Sequence, residues 1–552
     1  MNYYSFDVFD TCLCRLCGEP RLMFDVLSLK VQQAMGESCN EHMRQLFVVA
    51  RVNAGGRNLT DIYNNVAKYF PIPYSVEQMA ELELQTESEM LVPILATREL
   101  LDRVRDKGKV MFISDMYLPS SFIKERLEEF GFFKEGDLLF VSDELQAWKY
   151  DGSLYKYVHE SVDVDFRHWH HYGDNRESDF REPRRLGIHA HHIHYDYLPY
   201  EEQWMRMPVL GYQYSAILAG VARAVRLSTE APEDQKAFVC DISAPLMASW
   251  VRHIMDDAQS RGIKRLYFCA RDMHSFFLIA KLYQNVISGV EVKYLFISGS
   301  ALYKDNLCFD YLCSQGFSDG VPSAIVDSCS SGKTLAELNK ILLKNGCNTV
   351  DGYFWGRFVA PNVGASTGYF EMDNEYLFAM TKIMVSRLLG MRIFYELLFS
   401  VNYHLKTYGY EYHKKALRPV LRKDKDDDFC FEERTIREVK KSNDRLVYSF
   451  AKAFHASGID SFSKTIFDHV VIPTYVEFVD RPQKVYLNYL HVFKWWNSPF
   501  VGNIRGKKRG VWKRGSYFYR LPVFIASPIR FFLSRPKLRS QLNQLISWKN
   551  RK

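Results

Sequence analysis

The last 69 residues of this 552-residue chain contain no acidic side chain. Residues 484–552 carry sixteen lysines or arginines, while the whole chain has a formal charge of +7. The preceding residues therefore carry −9. This distribution excludes a uniformly basic or acidic protein and predicts an anionic partner for the basic end.

Long apolar runs are also missing. No uninterrupted run approaches the ~20 residues that span a bilayer, and no basic-then-apolar signal peptide follows Met1. The eleven cysteines are odd in number and scattered, unlike a disulfide framework. We therefore expect a cytoplasmic protein in a reducing compartment. Metal or redox use of the clustered Cys12, Cys14 and Cys17 is the lesser alternative to burial as free thiols.

The composition supplies ample material for several cores. Apolar residues make up 47% of the chain and aromatic residues 15%, and the length predicts three or four units. We predict an α/β domain at 1–200 with a helical insertion at about 18–107, a second α/β domain at 205–370, a mostly helical region at 371–480 and a basic aromatic tail at 484–552.

Four short motifs follow one another in the first 180 residues. Tyr3 to Phe6 predict a buried strand that ends at Asp7 in DVFDT. Ser114 follows the apolar run 110–113, Lys149 lies in QAWKYDG, and Asp174 follows 170–172 in GDNRESD. Side chains at the carboxyl ends of parallel strands face the crevice where α/β sheets bind ligands. An aspartate there can attack a phosphoryl or carbon centre or hold magnesium.

In this order, the motifs resemble the four-motif signature of the haloacid dehalogenase (HAD) superfamily. The wording SFDVFDT with ISDMYLP is similar to a branch found with bacterial surface-polysaccharide genes. The resemblance covers about the first 200 residues. Each motif alone is weak, but four in a fixed order are specific.

The resemblance implies a role for each matching residue. Asp7 matches the nucleophile, which forms an aspartyl-phosphate. Ser114 matches the hydroxyl that binds a phosphoryl oxygen, and Lys149 matches the cation that offsets charge on nucleophile and phosphate.

The same resemblance implies magnesium as the cofactor. The matching protein ligands are Asp7, the Phe9 backbone carbonyl and Asp174, with Asp179 supporting the metal from just outside. Magnesium suits such an oxygen-rich set and retains waters and substrate phosphate as further ligands.

One position departs from the phosphatase pattern. Phe9 occupies the place where those enzymes carry the general acid, and the family's dehalogenases carry an aromatic there but need no metal. We keep phosphoryl chemistry because GDNRESD resembles a metal-binding motif. Asp10, one residue further on, is the candidate acid, unless the leaving group needs no proton. A missing general acid typically costs ~10²–10⁴ in rate.

Each motif residue also has a purely structural interpretation. Asp10 and Thr11 can cap a turn, Ser114 can cap the following helix, Lys149 can be a surface lysine, and Asp174 can be a turn residue. Their joint order favours a site. A degenerate, non-catalytic site is the stronger alternative because of Phe9.

The segments around the motifs predict the fold class. Helices are expected at Arg21–Met35, Asn40–Asn53, Leu59–Tyr69 and Val76–Lys107, an insertion that the resemblance implies is a cap over the site. From Lys109, strands at 110–113, 138–141, 168–172 and 188–193 alternate with helices at 120–130, 153–160 and 178–186. This pattern predicts an α/β fold with a parallel sheet, which by resemblance is HAD-like and Rossmannoid.

Seven histidines flank the last motif. Their density allows a zinc site, but the alternation in IHAHHIH is typical of a strand with one wet face. They are His168, His170, His171, His189, His191, His192 and His194.

A second α/β unit is predicted from about residue 205. Helices are expected at 209–224 and 243–261, and strands at 265–269, 292–297, 324–326 and 352–355. Polar residues follow three of these strands, including Arg271 and Asp272, which suit a structural ion pair or a sugar-binding pair. A separate crevice is therefore expected at these strand ends.

The segment DSCSSGKT between a strand and a helix is a candidate phosphate loop, because amides at a helix start attract anions. It lacks the first glycine of a P-loop and resembles the diphosphate-ribose loop of phosphoribosyltransferases only in part. A plain helix cap is the equal alternative. The candidate residues are Asp327, Ser331, Gly332, Lys333 and Thr334.

The end of the chain predicts a membrane-facing tail. Residues 375–470 are expected to be mostly helical, with a solvated charge cluster at 422–434. After Lys484, basic residues mix with aromatic ones, and bulky apolar residues run through 521–533. An anionic membrane surface fits this mixture better than nucleic acid. A basic helical end packed on the protein is the other alternative.

The sequence thus predicts a HAD-like, magnesium-dependent phosphoryl hydrolase or transferase in surface-polysaccharide (capsule or O-antigen) biosynthesis. Its substrate would be a phosphorylated, nucleotide-linked or lipid-linked sugar, and its location cytoplasmic or peripheral at the inner membrane face. Two alternatives remain open. One is a degenerate HAD-like scaffold that docks glycosyltransferases at the membrane, and the other is a transferase whose active site lies in the second domain.

Overall fold

The computed structural model describes residues 2–207, 213–270, 272–330, 333–357, 406–422, 433–480 and 483–487. The chain divides into two compact units, residues 1–230 with 452–470 and residues 231–451 with 471–552. No helix among the described residues combines the length and apolarity needed to cross a membrane.

The first unit is built on a five-stranded parallel sheet. Its strands are β1 (Asn2–Phe6), β4 (Gly108–Ser114), β5 (Leu138–Val141), β6 (Trp169–Gly173) and β7 (His189–His192), in the order β5-β4-β1-β6-β7. β1 is therefore central and pairs in parallel with β4 and β6. The α/β fold class predicted from the sequence is confirmed.

Alternate residues of β4 enter two different cores. Val110 and Phe112 pack with the inserted helices, whereas Met111 and Ile113 pack with Trp169 on the other face. A strand that is buried on both faces has a continuous run of apolar residues. Such a run predicts a strand from the sequence. The helices that flank these strands are α6 (Ser120–Glu129), α7 (Ser142–Leu145), α8 (Ser153–Val162), α9 (Glu182–Arg185), α10 (Pro199–Met205) and α11 (Tyr214–Ser228).

The insertion between β1 and β4 is helical, as expected, but its last helix is interrupted. The helices are α1 (Leu22–Met35), α2 (Glu41–Asn53), α3 (Leu59–Val66), α4 (Val76–Met90) and α5 (Leu95–Arg105). The prediction of one helix over Val76–Lys107 is wrong. Residues Leu91–Pro93 form β3, which pairs antiparallel with β2 (Leu13–Arg15). Pro93 has no amide hydrogen and so cannot continue a helix from α4.

Two further helix predictions differ from the structure. The helix expected at 178–186 is a π-helical turn over Arg176–Arg181 followed by the short α9. The helix expected at 209–224 is α11, which begins at Tyr214 and ends at Ser228. Residues 208–212 lie outside the described ranges.

The second unit contains another parallel sheet. Its strands β8 (Arg265–Cys269), β9 (Glu291–Leu295), β10 (Ser323–Ser330) and β11 (Asp351–Arg357) lie in the order β11-β10-β8-β9. Tyr267 and Ile325 from two of these strands pack with Leu338 in one core. The accompanying helices are α12 (Glu233–Phe238), α13 (Ala244–Ser260), α14 (His274–Gln284), α15 (Gly299–Lys304), α16 (Cys308–Gln315) and α17 (Lys333–Lys344).

The region expected to be mostly helical contains a β-hairpin. Strands β12 (Lys406–His413) and β13 (Ala416–Arg422) pair antiparallel, and the turn residues Lys414 and Lys415 both have positive φ. Tyr408, Tyr410 and Tyr412 alternate along β12, a pattern that suits a strand. The helices α18 (Glu433–Ala456), α19 (Ser463–Ile466), α20 (Ile472–Asp480) and α21 (Lys484–Leu487) follow. Residues 375–405 of this region, most of the cluster at 422–434 and the tail beyond 487 lie outside the described residues.

Candidate active site

Three motif residues meet at one edge of the first sheet. Asp7 follows β1, Ser114 ends β4 and Asp174 follows β6. Because β1 pairs in parallel with both neighbours, the carboxyl ends of all three strands lie side by side. The backbone amide of Asp7 donates to the Tyr172 carbonyl at 2.8 Å, which fixes the start of the turn.

Lys149 joins two carboxylates inside this edge. Its Nζ lies 2.5 Å from Asp7 Oδ1 and 2.6 Å from Asp179 Oδ1. The Lys149 side chain is almost fully buried, and its backbone amide donates to the Asp115 carboxylate at 3.0 Å. The contact with Asp179 and the anchored backbone of Lys149 therefore hold the ammonium beside Asp7.

Three carboxylates form a compact oxygen cluster. One oxygen each from Asp7, Asp174 and Asp179 lie within 4.8 Å of one another. The Thr11 hydroxyl lies 3.2 Å from Asp7 Oδ2 and 3.3 Å from Asp174 Oδ1, bridging the first two. If all three are ionised, Lys149 leaves two negative charges without a counter-ion. A hard divalent cation with oxygen ligands, such as magnesium, fits this donor set and charge.

The environment shifts these groups in different directions. Burial raises the pKa of Asp7 well above its usual value, the neighbouring Asp179 and Asp174 raise it further, and Lys149 opposes them. Burial, followed by the charges of Asp10 and Asp179, raises the pKa of Asp174 to about 6.

Asp179 behaves in the opposite way. Burial raises the pKa of Asp179, but Lys149 and His171 outweigh burial, so the net pKa lies below the ordinary value. Burial lowers the pKa of Lys149, but Asp179 and Asp7 more than reverse this, which keeps the ammonium charged. Burial lowers the pKa of His171, which favours its neutral form.

Ser114 carries a buried hydroxyl that has no hydrogen-bond partner in the part of the chain that the structure describes. Its side chain is 1% exposed, and its oxygen finds no hydrogen-bond partner among the described residues. Leaving such a group unsatisfied costs roughly 1–3 kcal/mol. A buried orphan at a strand end therefore marks a position where a ligand oxygen can bind.

Phe9 and Asp10 are both engaged by arginines. The guanidinium of Arg15 lies 4.4 Å from the centre of the Phe9 ring. Asp10 has φ +56°, and its Oδ1 accepts from Arg223 Nη1 at 3.0 Å. In this arrangement Asp10 is an ion-pair partner, and a proton transfer from it would require breaking that pair.

Several contributing residues were not singled out from the sequence. Arg223 comes from α11, more than 200 positions after its partner Asp10, and no local pattern signals such a contact. His171 was considered only as part of a strand and as one of seven histidines that allow a zinc site. Its ring is fully buried and lies 3.2 Å from Asp179. Thr11 was part of the DVFDT motif but had only a capping role.

The phosphate loop predicted in the second unit is only partly described. Ser331 and Gly332 lie outside the described residues, and Lys333 begins α17. Asp327 lies in β10, and its charge raises the pKa of the buried Cys269 thiol after the larger effect of burial. Asp272 has the same effect on Cys269, so two acidic groups lie near the carboxyl end of β8. Phosphate binding there stays a prediction.

Comparisons with known proteins find similarity in solved structures alone. No family model and no curated protein matches the chain. A HAD phosphatase from Thermococcus onnurineus is 20% identical over 36% of this chain and 87% of its own, with a TM-score of 0.28.

Two dehalogenase structures match at a similar level. The L-2-haloacid dehalogenase from Xanthobacter autotrophicus is 14% identical over 43% of this chain and 98% of its own, with a TM-score of 0.28. The 2-haloacid dehalogenase from Pseudomonas syringae pv. Tomato DC3000 is 14% identical over 34% and 84%, with a TM-score of 0.26. The solved structures similar to this chain thus include HAD-family hydrolases. At this level of similarity, function must be inferred from the chain's own side chains.

Proposed function

We propose that the first unit is a HAD-like, magnesium-dependent phosphoryl hydrolase or transferase that works through a covalent phosphate on Asp7. One observation carries the proposal. Three carboxylate oxygens within 4.8 Å, from Asp7, Asp174 and Asp179, share the edge of one sheet with Lys149 and with Ser114, whose hydroxyl has no partner among the described residues.

Asp7 and Asp174, with the Phe9 backbone carbonyl, would hold the metal. Asp179 would support it from outside, because Lys149, His171 and the Asn175 amide already occupy its oxygens. When bound, magnesium supplies positive charge that orients the phosphoryl group and offsets its developing negative charge.

The protein side chains account for both halves of the reaction. A carboxylate oxygen of Asp7 attacks phosphorus, and the bond to the leaving oxygen breaks with its electron pair. Lys149 offsets the charge, and the Ser114 hydroxyl donates to a phosphoryl oxygen. The leaving oxygen takes up a proton from solvent. Water or an acceptor alcohol then attacks phosphorus and gives up its proton to solvent, the bond from phosphorus to Asp7 breaks, and Asp7 departs as a carboxylate.

The substrate class is proposed from the wording of the motifs. The motif wording resembles the surface-polysaccharide branch, so we propose a phosphorylated, nucleotide-linked or lipid-linked sugar. The basic aromatic tail after Lys484 supports attachment to an anionic membrane surface, where glycosyltransferase partners would also be found.

A second candidate function is a non-catalytic scaffold with the same fold. The observations that favour it are Phe9 at the usual acid position and the engagement of Asp10 by Arg223. The proposed enzyme and the scaffold differ in one measurable respect, which is turnover that depends on Asp7.

The test is phosphate release from sugar phosphates, nucleotides and acyl phosphates, with magnesium or with EDTA. We expect magnesium-dependent release by the wild type and a loss of at least ~10³-fold in Asp7→Asn, because that side chain is not a nucleophile. Acid quenching during turnover should trap phosphate on the wild-type chain only.

The matched control is Asp165→Asn, which changes an exposed aspartate on the same unit and should keep wild-type turnover. Release that is equal in Asp7→Asn and wild type would contradict the proposal. Absence of release from all substrates by folded, magnesium-binding protein would favour the scaffold.

A further inference from the structure

A line of buried hydrogen bonds runs from the interior of the first sheet to the candidate site. Trp169 Nε1 lies 2.6 Å from Ser5 Oγ, and Ser5 Oγ lies 2.7 Å from His171 Nδ1. On the other side of the imidazole, Nε2 lies 3.2 Å from Asp179 Oδ1. Trp169, Ser5 and His171 are fully buried, and Asp179 is 1% exposed.

The chemistry of the two ends fixes the protons in the middle. An indole N–H can only donate, so Ser5 accepts from Trp169 and has its own proton free for His171 Nδ1. An ionised carboxylate can only accept, so His171 Nε2 must carry the proton that faces Asp179. Both ends therefore require the same neutral tautomer of His171, with hydrogen on Nε2.

The surroundings of Nε2 agree with this assignment. Tyr155 Oη lies 3.0 Å from the same nitrogen and donates its own proton to the Ser178 carbonyl at 2.8 Å. Tyr155 is then left as an acceptor toward His171. The N–H of His171 thus points between two acceptors, Tyr155 and Asp179.

Asp179 connects His171 to Asp7, the proposed nucleophile, through Lys149. Its Oδ1 accepts from His171 and from Lys149, while its Oδ2 accepts from the Asn175 amide at 3.1 Å. The other hydrogen bond of the Lys149 ammonium goes to Asp7. Three donors hold the carboxylate in one orientation, and this carboxylate in turn holds the ammonium beside the nucleophile.

We propose that His171 is a positioning residue: with its Nε2–H tautomer selected by Ser5 and Trp169, it orients Asp179 and, through Asp179, Lys149 and the metal-binding carboxylates. The consequence for turnover rests on the proposed function. The consequence for magnesium affinity does not, because Asp179 belongs to the carboxylate cluster whether or not the site is catalytic.

Two variants of His171 separate the effect of its hydrogen-bonding groups from the effect of its bulk. His171→Gln keeps one acceptor and one donor at the end of the side chain, spaced much as the two ring nitrogens are. His171→Leu has comparable bulk and neither group. The matched control is His159→Gln, since the part-buried His159 ring hydrogen-bonds to the Val164 carbonyl and stacks on Phe166. Among the described residues it has no hydrogen bond to the carboxylate cluster.

The first measurement is calorimetric titration of the metal-free, full-length protein with magnesium alone. We expect His171→Leu to bind magnesium about 10- to 100-fold more weakly, the usual effect of losing a group that orients a ligand. His171→Gln should remain within roughly threefold of wild type, as should His159→Gln. Phosphate release should follow the same order.

Two results would overturn the proposal. One is a folded His171→Leu protein with wild-type magnesium affinity, and the other is His171→Gln binding as weakly as His171→Leu. If His171→Leu fails to fold, ¹⁵N spectra of the histidine-labelled wild type report the tautomer of His171 directly. A protonated Nδ1 on His171 would contradict the proposed Nε2–H tautomer. Ser5→Ala should then shift the tautomer balance and weaken magnesium binding.

Failure of the proposed function would look different. In that case wild type would release no phosphate, while magnesium affinity would still fall in His171→Leu and recover in His171→Gln. Conversely, His171→Leu could show Asp7-dependent phosphate release with unchanged kinetics and unchanged magnesium affinity. That result would support the proposed function and show that His171 has no positioning role in it.

Discussion

At the scale of a single residue, the pKa of Asp174 links proton binding to stability and, under the proposed function, to metal binding. Its pKa is raised from 3.8 to about 6, chiefly by burial. The folded, metal-free protein therefore binds this proton more tightly than the unfolded chain does. The stability that this proton contributes is complete below about pH 4 and is lost as the pH rises through about 6.

We expect this dependence to be visible in thermal unfolding with EDTA. In Asp174→Asn the fall in stability between pH 4 and 6.5 should be shallower than in wild type, because one titrating group is gone.

Magnesium should raise the wild-type melting temperature more at pH 7.5 than at pH 5, since metal and proton compete for the same carboxylate.

Asp165→Asn is the control for this pH series. The pKa of Asp165 is lowered to about 2, first by its hydrogen bonds with Arg167, so its titration lies below the measured window. Its pH profile should match wild type. An unchanged slope in Asp174→Asn would show that Asp174 does not bind this proton in the fold.

At the scale of elements, helix α4 connects the insertion to the loops of the site. Glu83 on α4 accepts from Arg51 Nη2 at 2.6 Å, from Tyr63 at 2.6 Å and from Tyr117 at 2.9 Å. Tyr117 follows β4 and its Ser114. One turn further along α4, Glu87 accepts from Arg15 at 2.7 Å, and Arg15 covers Phe9.

These buried charges make α4 sensitive to loss of one partner. Arg51→Met leaves the Glu83 carboxylate, 1% exposed, without its cation. We expect a loss of ~3–5 kcal/mol in the free energy of unfolding measured with urea. The double change Arg51→Met with Glu83→Met should lose less than the sum of the two single changes, since no lone charge remains buried.

The comparison pair lies on the surface of the same insertion. Arg57 and Asp61 are 3.6 Å apart, with Arg57 largely exposed, and Arg57→Met should change the unfolding free energy by less than ~0.5 kcal/mol. Equal losses in Arg51→Met and Arg57→Met would contradict the idea that α4 depends on a desolvated ion pair.

Elements that carry their own local signal were predictable from the sequence. Strand β4 contains an apolar run, β1 and β6 are rich in aromatic residues, and each of the three is followed by polar residues. Parallel pairing brings those ends together. The three-residue β3 was not predictable, because it exists only by pairing with β2, nearly eighty residues earlier. Tertiary packing also determines the contact of Arg223 with Asp10 and the hydrogen bond between His171 and Asp179.

At the scale of the whole molecule, the first unit is discontinuous in sequence. It combines residues 1–230 with 452–470, and nothing local in the sequence marks that return. Within this unit the ring of Phe462 stacks on Tyr214 at 4.1 Å, and Ile459 is fully buried. The later segment therefore completes a core formed by the first 230 residues.

The discontinuity predicts how the first unit will behave when separated from the rest. A fragment of residues 1–230 keeps every carboxylate of the cluster and should still bind magnesium, but it exposes the surface of Tyr214. We expect its melting temperature to lie at least ~5 °C below that of the same fragment with 452–470 attached by a flexible linker, since a 150–250-residue domain loses about 2–4 °C per kcal/mol. Phe462→Ala in the linked fragment should reproduce part of that deficit, because Tyr214 then loses its stacking partner while Ile459 stays buried. Equal melting temperatures with and without 452–470 would show that this segment contributes nothing to the unit and that residues 1–230 fold independently of it.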